Sequence, residues 1–303
     1  MSLRTASTTQ SRQSLLDLQR TQTRLNENTQ RISSGNRLTS PGDDPSASAM
    51  ILDFGTSIGA NTQFLKQAGA ATNYLTSTES ALNTAVSDVT RLMELMPAAS
   101  GSNASSTAAV APEVDAIRSS LLSLGNTQVQ GKYIFAGTNT QTVPFVDAGL
   151  PTNTISYAGN SGSISVGISA QANVVTNLNG DTVFFGAGGQ GSSTDLFKTV
   201  TDLSTGLSTN NQALVQSAGA NLSGILDNLN KMLATVGGRQ AGLNDMQNTL
   251  SGLNVTLQGL QDNLQATDYP GTMTQFNNDQ TIQSATLSAM SKVSKTNLFD
   301  YLG

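Results

Sequence analysis

LSGILDNLNKMLATVGGRQAGLNDMQNTLSGLNVTLQGLQDNL, residues 222–264, is the stretch on which the fold turns. Steps of three and four through it give Leu222, Ile225, Leu229, Met232, Val236, Arg239, Leu243, Met246, Leu250, Leu253, Leu257, Leu260 and Leu264. Only Arg239 interrupts the apolar series. A hydrophobic residue about every 3.5 positions keeps one stripe of a helix turned toward a partner, so the pattern predicts a coiled-coil-like rod. At 1.5 Å rise per residue the rod is roughly 65 Å long and needs a partner of similar length. On this register Leu253 is a core position, where lysine would be costly and lysine at Ser251 would not.

That partner lies far upstream. From Ile51 the same steps run through Phe54, Ile58, Asn61, Leu65, Ala68, Thr72, Leu75, Glu79, Leu82, Val86, Val89, Met93 and Met96. Pro97 is expected to stop this second rod, and the Ser/Ala/Gly-rich run from Ala98 to Ala111 reads as a flexible connection. Pro112 is expected to open a shorter helix with Val114, Ile117, Leu121 and Leu124 on one stripe. Closing a bundle from such distant segments makes the middle of the chain an insertion.

At Gly131 the period changes from helical to alternating, with Ile164, Val166 and Ile168 on one side of an extended segment rich in Gly, Asn and Thr that runs to about Gly191. This is a small β module. Within it Gly186-Ala-Gly-Gly-Gln-Gly191 formally matches G-x-G-x-x-G, but a dinucleotide site needs a strand feeding directly into a helix. Here Ser192-Ser-Thr-Asp195 instead caps a helix carrying Leu196, Phe197, Val200 and Leu203.

The two chain ends are amphipathic. Leu15, Leu18, Gln22, Leu25, Thr29 and Ile32 mark an N-terminal helix that is polar at two core positions, and the first dozen residues are expected to lack structure until a partner covers them. Gly35 ends that helix; Asp44 is placed as N-cap of the next, with Pro45 at its first position. After Tyr269-Pro270-Gly271 a last helix carries Met273, Phe276, Ile282, Leu287, Met290 and Val293 and ends in NLFDYLG, residues 297–303.

Composition narrows the chemistry. The 303 residues include no cysteine and no histidine, which removes thiol nucleophiles, Ser-His-Asp triads and Cys/His metal clusters. Charged residues make up only 12%, and a surface built of Ser, Thr, Asn and Gln suits a subunit that packs against its own copies. Residues 1–40 hold six arginines against Asp17 and Glu27, net +4, while the remainder is net −9. The arginines recur at helical intervals without interleaved aromatics, so they read as a solvated helix face, not a nucleic-acid site. No apolar run is long enough to span a membrane, and no secretory h-region stands at the start, so if the protein leaves the cytoplasm it is expected to do so without a cleaved Sec-type signal.

Two motifs carry a family resemblance. RISSGNRLTSPGDDP, residues 31–45, with Arg31, Ser33, Ser34, Gly35, Asp43, Asp44 and Pro45, resembles the N-terminal motif of bacterial flagellins and of the hook–filament junction protein family, hook-associated protein 3. GKYIFAGTNTQTVPF, residues 131–145, is similar to the junction signature through Gly131, Tyr133, Phe135, Gly137, Pro144 and Phe145, and the closing Leu298, Phe299, Tyr301 and Leu302 fit the same family. The resemblance implies a mainly α, elongated antiparallel helical bundle with paired terminal helices. Residues 1–43 and 266–303 would be the terminal assembly domain, 44–132 and 194–265 the central bundle, and 133–193 the inserted β domain. It further implies export through the flagellar type III apparatus with an export chaperone. The implied partners are hook-associated protein 1, flagellin and copies of itself, with no membrane insertion, no nucleic acid, no cofactor, no metal and no catalysis. The assembly interface is expected at Leu15, Leu18, Leu25, Ile32, Met273, Phe276, Leu287, Met290, Leu298, Phe299, Tyr301 and Leu302. A short flagellin, the filament subunit itself, is the alternative; a nucleotide-binding protein using the Gly186 loop is a third.

Overall fold

The computed structural model describes residues 2–100, 104–149 and 154–302, with the side chains of 2–8, 10, 11, 104–108 and 293–302 outside that description. Six α-helices dominate the described residues: α1 (Ser2–Ser34), α2 (Pro45–Ala99), α3 (Ala104–Gly125), α4 (Leu196–Ser208), α5 (Gln212–Gln265) and α6 (Tyr269–Leu302). The chain separates into two compact units, one made of Met1–Ala60 with Gly252–Gly303 and the other of Asn61–Ser251.

The second unit, Asn61–Ser251, holds the core. Leu222, Ile225, Leu229, Val236, Leu243 and Leu250 of α5 are buried, and all but Leu250 share one cluster with Leu75, Leu82, Val89 and Leu92 of α2 and Val114, Ile117 and Leu121 of α3. Side chains tie the helices at their edges: Gln240 donates to Glu79 at 3.0 Å, Arg91 pairs with Glu113 at 2.6 Å, and Ser120 donates to Asp88 at 2.8 Å.

The buried face of α2 differs in phase from the expected one. Ala71, Thr78, Ala85 and Leu92 are buried where Thr72, Glu79, Val86 and Met93 were expected. Every second position of the repeat thus slips one residue toward the N-terminus, which puts small side chains on the contact and the larger ones at its margin. Neither proline acts as the helix boundary expected of it. Pro97 lies inside α2, which runs to Ala99, and Pro112 lies inside α3, which begins at Ala104. Burial of Ala99, Val110 and Val114 on the packed face offsets the hydrogen bonds that proline cannot make.

Among the described residues the inserted module contains six strands of two or three residues, paired as three separate antiparallel hairpins: β1 (Gln128–Val129) with β2 (Lys132–Tyr133), β3 (Phe145–Asp147) with β4 (Ile155–Tyr157), and β5 (Ser165–Gly167) with β6 (Asn173–Val175). Such short strands bury little on their own. An aromatic knot holds β3 and β4 instead, with Phe145 at its centre and ring centroids of Phe184, Phe197, Tyr157 and Phe185 at 5.0 to 5.8 Å from it. Asp181–Phe185, just before the Gly186 loop, forms a single π-helical turn that delivers Phe184 and Phe185 into this knot. The Gly186 loop therefore lacks the strand-to-helix geometry of a dinucleotide site. It folds onto Thr194, and Asp195 caps α4 by accepting from the Lys198 N–H at 3.0 Å.

Candidate assembly surface of the terminal helices

The first unit, Met1–Ala60 with Gly252–Gly303, pairs α1 with α6, and the pairing is unusually polar. Leu25 is buried between the helices, but so are Thr21, Asn28 and Asp279. Asp279 accepts from the Asn28 amide at 3.2 Å and pairs with Arg24 at 3.0 Å. A buried carboxylate with two donors is tolerated in one arrangement and penalised in others, so these contacts fix register more than they add stability. The phase slip seen in α2 recurs in α1, where Thr21 and Asn28 occupy the seam expected at Gln22 and Thr29. The N-terminal arm, expected to lack structure, is helical from Ser2, with α6 lying along α1.

The RISSGNRLTSPGDDP motif forms the joint below this pair. Gly35, at φ +73°, turns the chain out of α1, and a Cβ on it would stand 3.0 Å from the Tyr269 hydroxyl. Asn36 bridges Ala266, the Arg37 N–H donates to the Gln265 carbonyl at 2.6 Å, and the Thr267 N–H donates to the Gly35 carbonyl at 2.9 Å. Ser33 donates to the Gln30 carbonyl and Ser34 accepts from the Asn36 N–H. Arg31 sits half-buried with its Nε unpartnered, near enough to help hold the Asp43 carboxyl below its usual range. The main cause of that lowering is the pair of N–H donors from Thr39 and Ser40. Asp44 caps α2 as expected, accepting from the Ala47 N–H at 3.0 Å, with Pro45 opening the helix.

The second motif has a structural role as well. Gln130 and Gly131, both at positive φ, make the two-residue turn of the β1–β2 hairpin. Tyr133 lies in β2, Phe135 is fully buried, and Pro144 leads into Phe145, whose backbone is gripped at both ends by the Asn126 amide. Gly137, at φ +67°, passes so close to the Asn160 backbone that any side chain would clash. Arg239, the one break in the apolar stripe, donates to the Asn177 carbonyl at 2.8 Å and so pins the inserted module to α5.

The residues expected at an assembly interface divide into two sets. Leu18, Leu25, Ile32, Phe276 and Met290 are buried or half-buried. Leu15, Met273 and Leu287 are exposed, Leu15 by 49% and Leu287 by 51%. The side chains of Leu298, Phe299, Tyr301 and Leu302 lie outside the described residues. Leu16 and Ile282 are also exposed. The stripe of α5 gives way likewise, since Leu253 and Leu260 are each 45% exposed, which corrects the core position expected for Leu253. Within the first unit, large apolar side chains thus stand outside and a polar knot inside. Among the described residues no helix is long and apolar enough to cross a membrane, and no cluster of three His, Cys, Asp or Glu could hold a metal ion.

Comparison with known proteins gives this architecture its class. Residues 6–140 match the family described as the bacterial flagellin N-terminal helical region. Flagellar hook-associated protein 3 of Escherichia coli is 29% identical over 158 residues, covering 51% of this chain and 48% of that protein. The namesake of Salmonella typhimurium is 28% identical over the same shares, so the chain spans about half the length of the curated relatives it matches. Among solved structures, a putative flagellar hook-associated protein from Vibrio parahaemolyticus aligns with a TM-score of 0.68 at 19% identity, over 74% of this chain and all of that one. The FlgL crystal structure from Bacillus cereus aligns with a TM-score of 0.60 at 23% identity, over 69% and 99%. These two show a shared fold. By class the chain is similar to flagellins over residues 6–140, which match the flagellin N-terminal helical region. Within that class it is similar to flagellar hook-associated protein 3, the family to which both sequence motifs pointed.

Proposed function

We propose that the protein is a structural adaptor of the bacterial flagellum at the hook–filament junction, joining hook-associated protein 1 on one side to flagellin on the other. The observation that carries this reading is the inverted polarity of α1 and α6. A pair of helices that spends Asn28, Arg24 and Asp279 on its own seam and leaves Leu15, Leu16, Met273, Ile282 and Leu287 outside is suited to neighbours that cover it. Residues 1–43 and 266–303 form the inner assembly part in this reading. Residues 44–132 and 194–265 form the bundle outside it, and residues 133–193 the outermost β domain. The chain leaves the cell through the flagellar type III apparatus, held beforehand by an export chaperone that covers the same apolar faces. It catalyses no reaction.

Seeded assembly tests the reading. Purified protein is mixed with hook ends carrying hook-associated protein 1 and with filament fragments, and growth is followed by light scattering and electron microscopy. A short cap that then accepts flagellin is the expected result. Long filaments grown from this chain alone would overturn it in favour of a short flagellin. Removal of residues 297–303 should abolish filament retention, and normal motility after that deletion would count equally against the adaptor.

A further inference from the structure

The first unit contains an open, mainly apolar groove of about 850 Å³ that the joint and the helix pair leave unused. Pro41 and Pro45 line it from the turn, Ile51, Leu52 and Gly55 from α2, and Gln261 from α5. Leu52 is among the most exposed large apolar side chains described, and a Cβ built on Gly55 meets nothing within 4 Å. Glycine in a helix interior weakens it, and no neighbour within the chain needs the space at Gly55. The groove's surroundings are acidic. Asp43 lies between the two prolines, Asp53 follows Leu52 and Asp262 follows Gln261. Among the described residues neither Asp53 nor Asp262 has an ion-pair partner, and Arg37, beside the groove, is already engaged by Asp44 and the Leu264 carbonyl.

A surface of complementary character stands on α1. Leu15 and Leu16 are both half-exposed, and Arg12, Leu16 and Arg20 follow one another at four-residue intervals along one face. Arg12 has no ion-pair partner among the described residues, and Arg20 is held only loosely, by Asp17 at 3.6 Å. This ridge cannot reach the groove of its own chain. Leu16 is separated from the helix end at Ser34 by about 27 Å of unbroken helix, whereas the groove begins at Leu38, just past that end.

We propose that the groove seats the Arg12–Arg20 ridge of α1 from a second copy of this chain. Leu15 and Leu16 fill the apolar floor over Leu52 and Gly55, and the two arginines lie against Asp53 and Asp262. Two different surfaces meet in this contact, so it repeats from subunit to subunit instead of closing a twofold dimer. It rests on the adaptor reading only for the setting in which the layer forms.

The absence of cysteine makes the test direct. The full chain carrying Leu16→Cys and Gly55→Cys together is assembled on hook ends, and separately incubated alone at high concentration, before treatment with a short bis-maleimide. A ladder of dimers, trimers and higher species is expected, with only dimers when the two single variants are mixed. A ladder that forms in solution without attachment to hook ends would retain this contact while removing the junction reading. A normal cap with no 16-to-55 link, or a link between two copies of Leu16→Cys, would overturn the contact and leave the junction reading intact. No association in either setting would overturn both. As an independent check, Gly55→Leu in the cysteine-free chain should melt no lower than the unaltered chain yet lose self-association, read by light scattering, at least tenfold. Asp53→Arg in the doubly cysteine-substituted chain should lose the ladder and regain it when mixed with Arg12→Asp in the same background; unchanged association in Gly55→Leu or an unchanged ladder in Asp53→Arg would also overturn the proposal.

Discussion

The α5 stripe meets opposite environments in the two units. From Leu222 to Leu250 its leucines and isoleucine are buried beside α2 and α3; at Leu253 and Leu260 the same repeat stands nearly half in solvent. The terminal pair repeats the contrast. Its seam spends polar groups where the second unit spends Leu75, Leu82 and Val89. A hydrophobic repeat therefore does not by itself say what will cover it. In the second unit the cover is the same chain, and stability is local; in the first it is incomplete, and the remaining burial is left for association.

Several variants would sharpen or break that contrast. Leu222→Lys places an ammonium in a fully buried site and should cost several kcal/mol, on the order of 3–5, in thermal or urea unfolding, whereas Leu253→Lys should cost little in the free chain. Equal losses would mean that the two halves of the stripe are equally covered. Phe145→Ala removes the centre of the aromatic knot and should cost about 3–4 kcal/mol, with the inserted module losing hydrogen-exchange protection before the helices do. Asp279→Ala should cost about 1–3 kcal/mol, read as faster exchange along α1 and α6 with the second unit unaffected, because Asn28 and Arg24 lose their acceptor.

Alkali should act on the second unit. Burial pushes the hydroxyls of both Tyr74 and Tyr157 up to about 12. A folded pKa above the unfolded value of about 10 means the contribution is complete below pH 10 and is lost as the pH rises toward 12. The melting temperature should fall across that window, with tyrosinate absorbance rising as the unit unfolds; Tyr74→Phe with Tyr157→Phe should flatten the fall. The smallest effect on stability is expected of Leu15→Gln and Leu287→Gln, within about 0.5 kcal/mol in the free chain, while seeded assembly falls sharply. A large loss of monomer stability from either would show that these faces are covered within the chain.

The turn and cap chemistry was legible because it is local. Asp44 with Pro45, Asp195 before Leu196 and the end of α1 at Gly35 each depend on residues within a few positions, and all take the conformations their side chains favour. The 3.5-residue period was equally plain, and with it a mainly α chain of long helices around a small β insertion. Asn28 and Asp279 gave no such signal, since each is an ordinary polar residue until a partner 251 positions away brings a buried amide to a carboxylate.

By itself, then, the sequence determined which segments are helical, roughly where they break, and that one face of each seeks a partner, because period and capping are properties of neighbouring residues. Tertiary structure decided the phase, choosing Ala71, Thr78 and Ala85 over Thr72, Glu79 and Val86, because two faces one residue apart satisfy the same period and only the partner's shape separates them. It also carried α2 through Pro97 and began α3 before Pro112. In each case burial of a distant surface outweighed a local preference of smaller free energy.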